Sequence, residues 1–247
     1  MKLYILLAAS NSEGMFSPFF YIGLAAAVLI AVTFLVLDRW WEPKKRTQQL
    51  RQIAPTMGFS FSARAQENLP STLEGFNLFS RGYSKTVYNV LKGPWGDTSW
   101  MVFDYDYKAR VGDKTDTYRQ TVAYTNLGQV TLPRFSLGPE SFFHKFADII
   151  GLRDIDFWHH PAFSKKYRLK GSDEETIRKL FNDELLDLFE RKQKRPNVEA
   201  DGNKIIIYYF SRFSIAGNRI RPRDLETFME QANEIVRRFV EAKTQFS

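Results

Sequence analysis

The chain has 247 residues, a formal net charge of +7 and no cysteine. The length fits one or two domains, and a hydrophobic fraction of 44% with 22 phenylalanines favours a folded core over a disordered chain. The lack of cysteine excludes disulfides, thiolate zinc sites and cysteine nucleophiles.

The first strong signal is an uncharged run of 19 residues, FFYIGLAAAVLIAVTFLVL, at positions 19–37. A helix of this length spans about 28 Å, close to the thickness of a bilayer's hydrocarbon core. Tyr21 near one end, and Trp40 and Trp41 beyond the other, are typical of membrane interfaces. The run therefore predicts a transmembrane helix over residues 19–37 after a short extracytoplasmic head, residues 1–18. A buried core helix is the alternative, although such a helix rarely lacks a polar stripe.

A basic cluster follows the run and comprises Arg39, Lys44, Lys45 and Arg46, whereas Lys2 is the sole basic residue that precedes it. The positive-inside rule places the flank with more basic residues in the cytoplasm. We therefore expect a single-pass inner-membrane protein with a cytoplasmic carboxy-terminal domain. The same four side chains could contact anionic lipid, at about 1 kcal/mol each, but topology alone explains them.

Residues 38–58 form a basic juxtamembrane linker or helix, which Pro55 and Gly58 are expected to end. Beyond it, the charge is too dilute to predict nucleic-acid binding. We expect residues 59–247 to form an α+β domain in which an antiparallel sheet packs with helices. Two related subdomains, 59–132 and 133–247, are conceivable, although no sequence repeat supports them.

Three consecutive segments predict strands because they are rich in β-branched and aromatic residues: KTVYNVLKG, TSWMVFDYDYKA and TYRQTVAYT. Turn residues separate them, at positions 94–97 and at Gly112-Asp113. Short links between consecutive strands favour an antiparallel meander.

The second half mixes helix and strand. Gly138-Pro139-Glu140 is expected to open a helix that Gly151 closes. Residues 172–175 have capping-box spacing before another helix, and a short helix carrying Leu185, Leu188 and Phe189 follows. A hairpin is expected around Asp201-Gly202. The last helix has apolar residues at steps of three and four, a pattern that usually covers a sheet: Leu225, Phe228, Met229, Ala232, Ile235, Val236, Phe239 and Val240.

Two acidic phrases are the main candidates for chemistry, because the glycine patterns of nucleotide-binding proteins and the HExxH and GxSxG motifs do not occur. In FDYDY, strand alternation puts Asp104 and Asp106 on the face opposite Phe103, Tyr105 and Tyr107. The two carboxylates could share a proton or bind a cation. We favour a solvated face opposite a packed face.

The other phrase is DIDFWHHPAF, which contains Asp154, Asp156, His159 and His160. Adjacent histidines on an extended backbone point apart, so we expect a strand that runs into a turn fixed by Pro161. Asp154 and Asp156 should then lie on its polar side, His159 should face solvent or the opposite side, and His160 should make a local hydrogen bond. A metal site would need a distant third ligand, and nothing aims His144, the remaining histidine, at the pair.

FDYDY followed by RQTVAY, together with DIDF and HPAFSKKYRLKG, resembles a family of bacterial proteins with one amino-terminal membrane helix. The similarity covers most of residues 50–240. The resemblance implies a membrane-anchored α+β domain with a cytoplasmic location, and it implies no activity.

The sequence thus predicts a membrane-anchored, non-catalytic binding protein whose partners are the lipid bilayer and a further protein or ligand at the cytoplasmic face. No cofactor, resident metal or catalytic residue is predicted. The alternative is a membrane-tethered, metal-dependent hydrolase that uses the Asp154–His160 region or the Asp104/Asp106 strand.

Overall fold

The computed structural model describes residues 18–64, 73, 75–140, 153–210 and 218–245. In the first helix, the side chains of residues 18–20, 31–32 and 34–43 are also outside the description. The predicted head, residues 1–18, therefore lies outside the described residues apart from Pro18, as do His144 and Gly151. The chain divides into two compact units, Met1–Arg46 and Thr47–Ser247.

Helix α1, Pro18–Ile53, contains the whole uncharged run and the basic segment after it. Across the part of the chain that the structure describes, no helix combines the length and apolarity needed to cross a membrane. A short 3-10 turn, Pro55–Met57, follows the helix, and Gly58 caps this turn in the left-handed conformation with φ of 74°. The predicted end of this helical segment at Pro55 and Gly58 is confirmed.

The described strands form one sheet, in which all neighbours are antiparallel and the order is β1-β2-β3-β4-β9-β8-β5-β7-β6. Its strands are β1 Ser60–Arg64, β2 Tyr83–Trp95, β3 Thr98–Val111, β4 Lys114–Asn126, β5 Leu132–Pro139, β6 Arg153–Asp154, β7 Tyr167–Gly171, β8 Pro196–Gly202 and β9 Lys204–Tyr209. The helices after α1 are α2 Asn77–Ser80, α3 Pro161–Lys166, α4 Glu174–Leu180, α5 Asp183–Arg191 and α6 Leu225–Gln245, with a 3-10 turn at Pro222–Asp224.

The predicted meander is confirmed as β2, β3 and β4. The first turn is tighter than expected, because Trp95 still pairs with Thr98 and only Gly96 and Asp97 lie between them. Gly96 has φ of 60°, a conformation that glycine adopts without steric cost. The β8–β9 hairpin is also confirmed, although its two-residue loop is Gly202 and Asn203.

Two predicted helix starts are displaced along the chain. Gly138 and Pro139 end β5, where they pair with Arg168 and Tyr167 of β7, and Glu140 is the first helical residue after them. Positions 141–151 of the predicted helix lie outside the described residues. The preceding residues of β5 are buried between β8 and β7, so sheet pairing outweighs the local proline signal. Helix α4 is capped by Asp173, whose Oδ1 accepts a hydrogen bond from the Thr176 N–H at 3.1 Å. Asp173 is one residue later than the capping box predicted.

Both faces of the sheet are packed. One face, with Val102, Leu137, Val198 and Ile207, packs against α4, α5 and α6. The opposite face carries a smaller cluster formed by Phe103, Tyr105, Val122, Tyr208 and neighbours, against which α2 places Leu78 and Phe79. The structure is therefore an α+β fold with one continuous sheet.

Helix α6 confirms the predicted apolar stripe, since its members are buried apart from the partly buried Val240. The ring of Phe239 lies 5.2 Å from that of Phe135 and 5.4 Å from that of Phe181, measured between centroids. The stripe is thus part of the core on the helical face of the sheet.

We expect Phe239→Ala to lower the free energy of unfolding by about 3–5 kcal/mol, because it leaves a cavity among these rings. Urea unfolding of the full chain in detergent, followed by near-UV circular dichroism, measures the effect. The control is Arg237→Ala on the exposed face of α6, where we expect a change within about 0.5 kcal/mol. Equal effects of the two variants would show that the stripe is not core.

Candidate functional site

The acidic strand is organised differently from its prediction. Phe103, Tyr105 and Tyr107 do share one buried face of β3. Asp104, however, is only 1% exposed, so the expectation of a solvated face on the other side is wrong at this position. Asp104 lies on the face of the sheet that packs against the helices. A buried carboxylate there requires hydrogen-bond partners to offset its lost hydration.

Asp104 has those partners. Its Oδ2 accepts from the Asn89 amide at 2.9 Å, and its Oδ1 accepts from the Thr121 hydroxyl at 3.0 Å. The chain of bonds continues on both sides: the Thr47 hydroxyl of α1 donates to Asn89 Oδ1 at 2.9 Å, and the Ile220 N–H donates to Thr121 Oγ1 at 3.0 Å. We call these five residues the Asp104 network. It joins α1, β2, β3, β4 and the segment before α6.

A bulge in β2 positions Asn89. The register of β2 against β3 shifts between Tyr88 and Leu91, and Asn89 has a positive φ of 52°, which asparagine tolerates better than most residues. Bulges redirect side chains and often occur beside functional sites. Here the bulge accompanies an Asn89 side chain that is buried against Asp104.

Asp106, two residues along β3, is held by cations. Arg219 Nη2 donates to both of its carboxylate oxygens, at 3.1 and 3.0 Å, and Arg119 Nε lies 3.5 Å from Oδ2. The Tyr88 hydroxyl donates to Oδ1 at 3.0 Å, and the Arg219 guanidinium carbon lies 5.3 Å from the centre of the Tyr88 ring. Internal donors therefore engage both carboxylates of FDYDY, an arrangement suited to holding structure.

We expect Asp104→Ala to lower the free energy of unfolding by about 3 kcal/mol, because the buried Asn89 amide and Thr121 hydroxyl lose the carboxylate to which they donate. Urea unfolding of the full chain measures this change. Asp116→Ala, on an exposed stretch of β4, is the control, with an expected change below about 0.5 kcal/mol. If Asp104→Ala is as stable as Asp116→Ala, the result would contradict a structural role for the Asp104 carboxylate.

The DIDFWHHPAF segment agrees with its prediction only in part. The strand is limited to Arg153–Asp154, and Pro161 occupies the start of α3, a position where proline is favoured because no N–H is needed. Asp154, Asp156 and His159 are exposed, as expected. Asp154 lies 3.6 Å from Lys170 Nζ, an ion pair across β6 and β7.

The predicted local hydrogen bond of His160 is present in its backbone, whose N–H donates to the Phe157 carbonyl at 3.1 Å, but the side chain bonds to residues farther along the chain. Its ring nitrogens face α5, with Nδ1 3.3 Å from Glu190 Oε1 and Nε2 3.3 Å from Asp183 Oδ1. Asp187 is also near, at 3.9 Å from Nδ1. Among the described residues, the group that could hold a metal ion is His160, Asp187 and Glu190. The acids of α5 occur at steps of four and three, a signal that sequence reasoning missed.

Sequence reasoning also missed a buried carboxyl group on the opposite face of the sheet. Glu199 of β8 is 1% exposed. Its Oε1 accepts from the Tyr208 hydroxyl at 2.7 Å, and its Oε2 accepts from the Asn77 N–H at 2.6 Å. Burial raises the pKa of Glu199, although the Arg81 charge and these donors oppose the shift. Burial likewise raises the pKa of Tyr107, to about 12.

The raised pKa of Glu199 has a defined consequence for stability. The folded state binds the proton more tightly than the unfolded state does, so this contribution to stability is full below the ordinary value of 4.5 and is lost as the pH rises through the folded pKa. Relative to Glu199→Gln, the wild-type free energy of unfolding should fall with pH above about 4.5, by at most about 1.4 kcal/mol per pH unit.

Urea unfolding of both full-length proteins across this pH range measures the difference. Glu226→Gln on exposed α6 surface controls for the change in net charge. A wild-type stability that rises with pH relative to Glu199→Gln would show that the ionised form is the one stabilised by folding.

A groove of 540 Å³ lies on the same face as Glu199 but near the β2–β3 turn. Lys92 pairs with Met101, which pairs with Tyr124, so these side chains point to one face. The groove is lined by Lys92, Pro94, Ser99, Met101, Tyr124 and Asn126. Its volume is in the range of ligand pockets, and a mostly apolar wall with a few polar groups is their usual composition.

The basic cluster after the uncharged run is described only in part. Lys44 and Lys45 are exposed and Arg46 is buried, whereas the Arg39 side chain lies outside the described residues. Contact of these residues with anionic lipid stays a prediction.

The fold defines an α+β protein built on one antiparallel sheet, and its likeness to known proteins is confined to structure. No family model and no curated protein matches the chain. It is similar to the crystal structure of the mycobacterial trehalose monomycolate transport factor A, TtfA, with a TM-score of 0.54 and 10% sequence identity, over 79% of this chain and 93% of that chain. At this identity the likeness shows the fold alone, and the resemblance to a family with one membrane helix stays a prediction.

Proposed function

We propose that this protein is a membrane-anchored binding protein that holds an amphiphilic ligand in the groove beside the β2–β3 turn. The observation that carries the proposal is the contrast between the acidic strand and the groove. Asp104 and Asp106 are engaged by internal donors, which leaves them poorly placed for chemistry. The groove is open, mainly apolar and bordered by the exposed Lys92.

The anchor is supported by the sequence of residues 19–37, although none of the helices in the described part of the chain is sufficiently long and apolar to cross a membrane. The uncharged run of α1 matches the thickness of a bilayer, and the described side chains Tyr21, Ile22, Leu24, Val28, Leu29 and Ile30 are all more than half exposed. Thr33 donates its hydroxyl to the Leu29 carbonyl at 2.7 Å, which satisfies this polar group within the helix, as lipid requires. The basic flank favours a cytoplasmic domain beside the inner membrane.

The lining of the groove supports the ligand class. Pro94, Met101 and Tyr124 offer an apolar surface, and methionine adapts to irregular apolar ligands. Lys92 provides a cation for an anionic head group. An amphiphile with an apolar chain and an acidic group matches both features. A protein anchored in the membrane would meet such molecules at the bilayer surface.

The rival function is a metal-dependent hydrolase. The structure gives it less support, because Asp154, Asp156 and His159 lie in solvent and do not join the metal-compatible group of His160 among the described residues. A hydrolytic site also needs an activated water beside a bound substrate, and the groove lining contains no histidine or carboxylate.

A fluorescent fatty acid tests the proposed function with the full chain in detergent. We expect saturable binding that Lys92→Glu weakens about fivefold, which corresponds to about 1 kcal/mol for an exposed charge pair. Lys85→Glu, an exposed residue on the same strand, is the matched control and should bind like the wild type. No saturable binding, or an equal loss in both variants, would contradict the proposal.

A further inference from the structure

The acidic face of α5 encloses one imidazole. Asp183, Asp187 and Glu190 follow one another at steps of four and three residues, so they lie along one side of the helix. His160, the residue before α3, places its ring among them with 17% of its side chain exposed. Three carboxylates therefore surround a single titratable ring.

The distances match a cation site. Nδ1 of His160 is 3.3 Å from Glu190 Oε1 and 3.9 Å from Asp187 Oδ1, and the three potential ligand atoms lie within 4.8 Å of one another. A tetrahedral ion with bonds of about 2.0–2.1 Å keeps its ligands about 3.3 Å apart. The edge between His160 and Glu190 already has this length, and a change of rotamer of the half-exposed Asp187 can shorten the two edges that it forms.

The second ring nitrogen has a partner that is compatible with metal binding at the first. Asp183 Oδ1 lies 3.3 Å from Nε2, where it accepts the N–H of one neutral tautomer. Nδ1 then presents a lone pair toward Asp187 and Glu190, whose ionised carboxylates can only accept. A divalent cation between these acceptors would bind all three, whereas a proton on Nδ1 would instead donate to one of them, and a measurement of zinc binding distinguishes the two. A carboxylate on the far nitrogen is the usual outer-shell partner of a metal-bound histidine.

The backbone around the site holds two of the ligands in place. The Phe163 N–H donates to Glu190 Oε1 at 3.0 Å, and the His160 N–H donates to the Phe157 carbonyl at 3.1 Å. The Lys166 ammonium donates to the Glu190 carbonyl at 2.6 Å, which ties α3 to the end of α5. Such support reduces the entropy that ligand ordering would otherwise cost.

We propose that His160 Nδ1, Asp187 and Glu190 bind a divalent cation of the zinc class. Imidazole and carboxylate are suitable ligands for it, and three protein ligands leave one position for water. A neutral imidazole and a divalent ion reduce the charge of the three carboxylates from −3 to −1, whereas a proton on the ring reduces it only to −2. The ion cross-links the turn before α3 to α5, and this role is independent of the proposed groove ligand.

Zinc binding to the full chain in detergent tests the site. Protein stripped with a chelator is dialysed against zinc at neutral pH, and bound metal and melting temperature are measured. We expect about one zinc per chain and a rise in melting temperature. His160→Ala should weaken zinc at least about tenfold and abolish the rise. His159→Ala, the exposed neighbour outside the group, should behave as the wild type.

Glu190→Gln is a second variant that keeps the shape of the side chain and removes a charged ligand, so a folding defect of His160→Ala would not decide the outcome. Cobalt provides a spectroscopic check, because histidine ligation to tetrahedral cobalt gives visible absorption that both site variants should lose. The proposal is overturned if the wild type binds no zinc, or if His160→Ala and Glu190→Gln bind it as tightly as the wild type. The first result would limit the cluster to contacts between His160 and the acids of α5.

Discussion

The burial of Asp104 is the constraint on which the packing around β3 depends. A carboxylate that is almost inaccessible to water would destabilise the fold by several kcal/mol without partners. The Asp104 network supplies them from parts of the chain that are distant in sequence, with Thr47 and Ile220 at its two ends. Because these bonds are directional, they fix the register of β2, β3 and β4 more specifically than apolar contacts could.

The two faces of the sheet are consequently specialised. The helical face combines the large apolar core with the Asp104 network and Asp106, so its polar groups are committed to structure. The opposite face carries Glu199, whose pKa burial raises, and the open groove near the β2–β3 turn. Binding is therefore proposed for the face that is less completely covered by the described helices.

Periodicity explains which parts of the fold could be predicted. The stripe of α6 and the three strands of the meander repeat at 3.6 and 2 residues, so their elements were identified correctly. The start predicted at Gly138-Pro139 is displaced to Glu140 because pairing with β7 keeps the first two residues in the sheet, and that partner lies about thirty residues away. The likeness to TtfA at 10% identity adds the fold and no residue-level information.

The candidate sites were harder to predict, for a related reason. Strand alternation places Asp104 opposite Tyr105 but does not reveal whether helices cover that face. The partners of Asp104, Asp106 and His160 come from segments that approach only in the folded chain. Glu199 likewise alternates with Val198 and Ala200, as a residue on a solvated face would. In each case the residue type was visible in the sequence, while its burial and partner were not.

A double-mutant cycle between Asp104 and Thr121 tests most directly whether the network is a structural unit. The free energies of unfolding of Asp104→Ala, Thr121→Val and the double variant are compared with that of the wild type. We expect a coupling energy of about 1–3 kcal/mol, as found for residues in one buried network. Additive effects, with a coupling energy near zero, would contradict the central role given to the hydrogen bonds of Asp104.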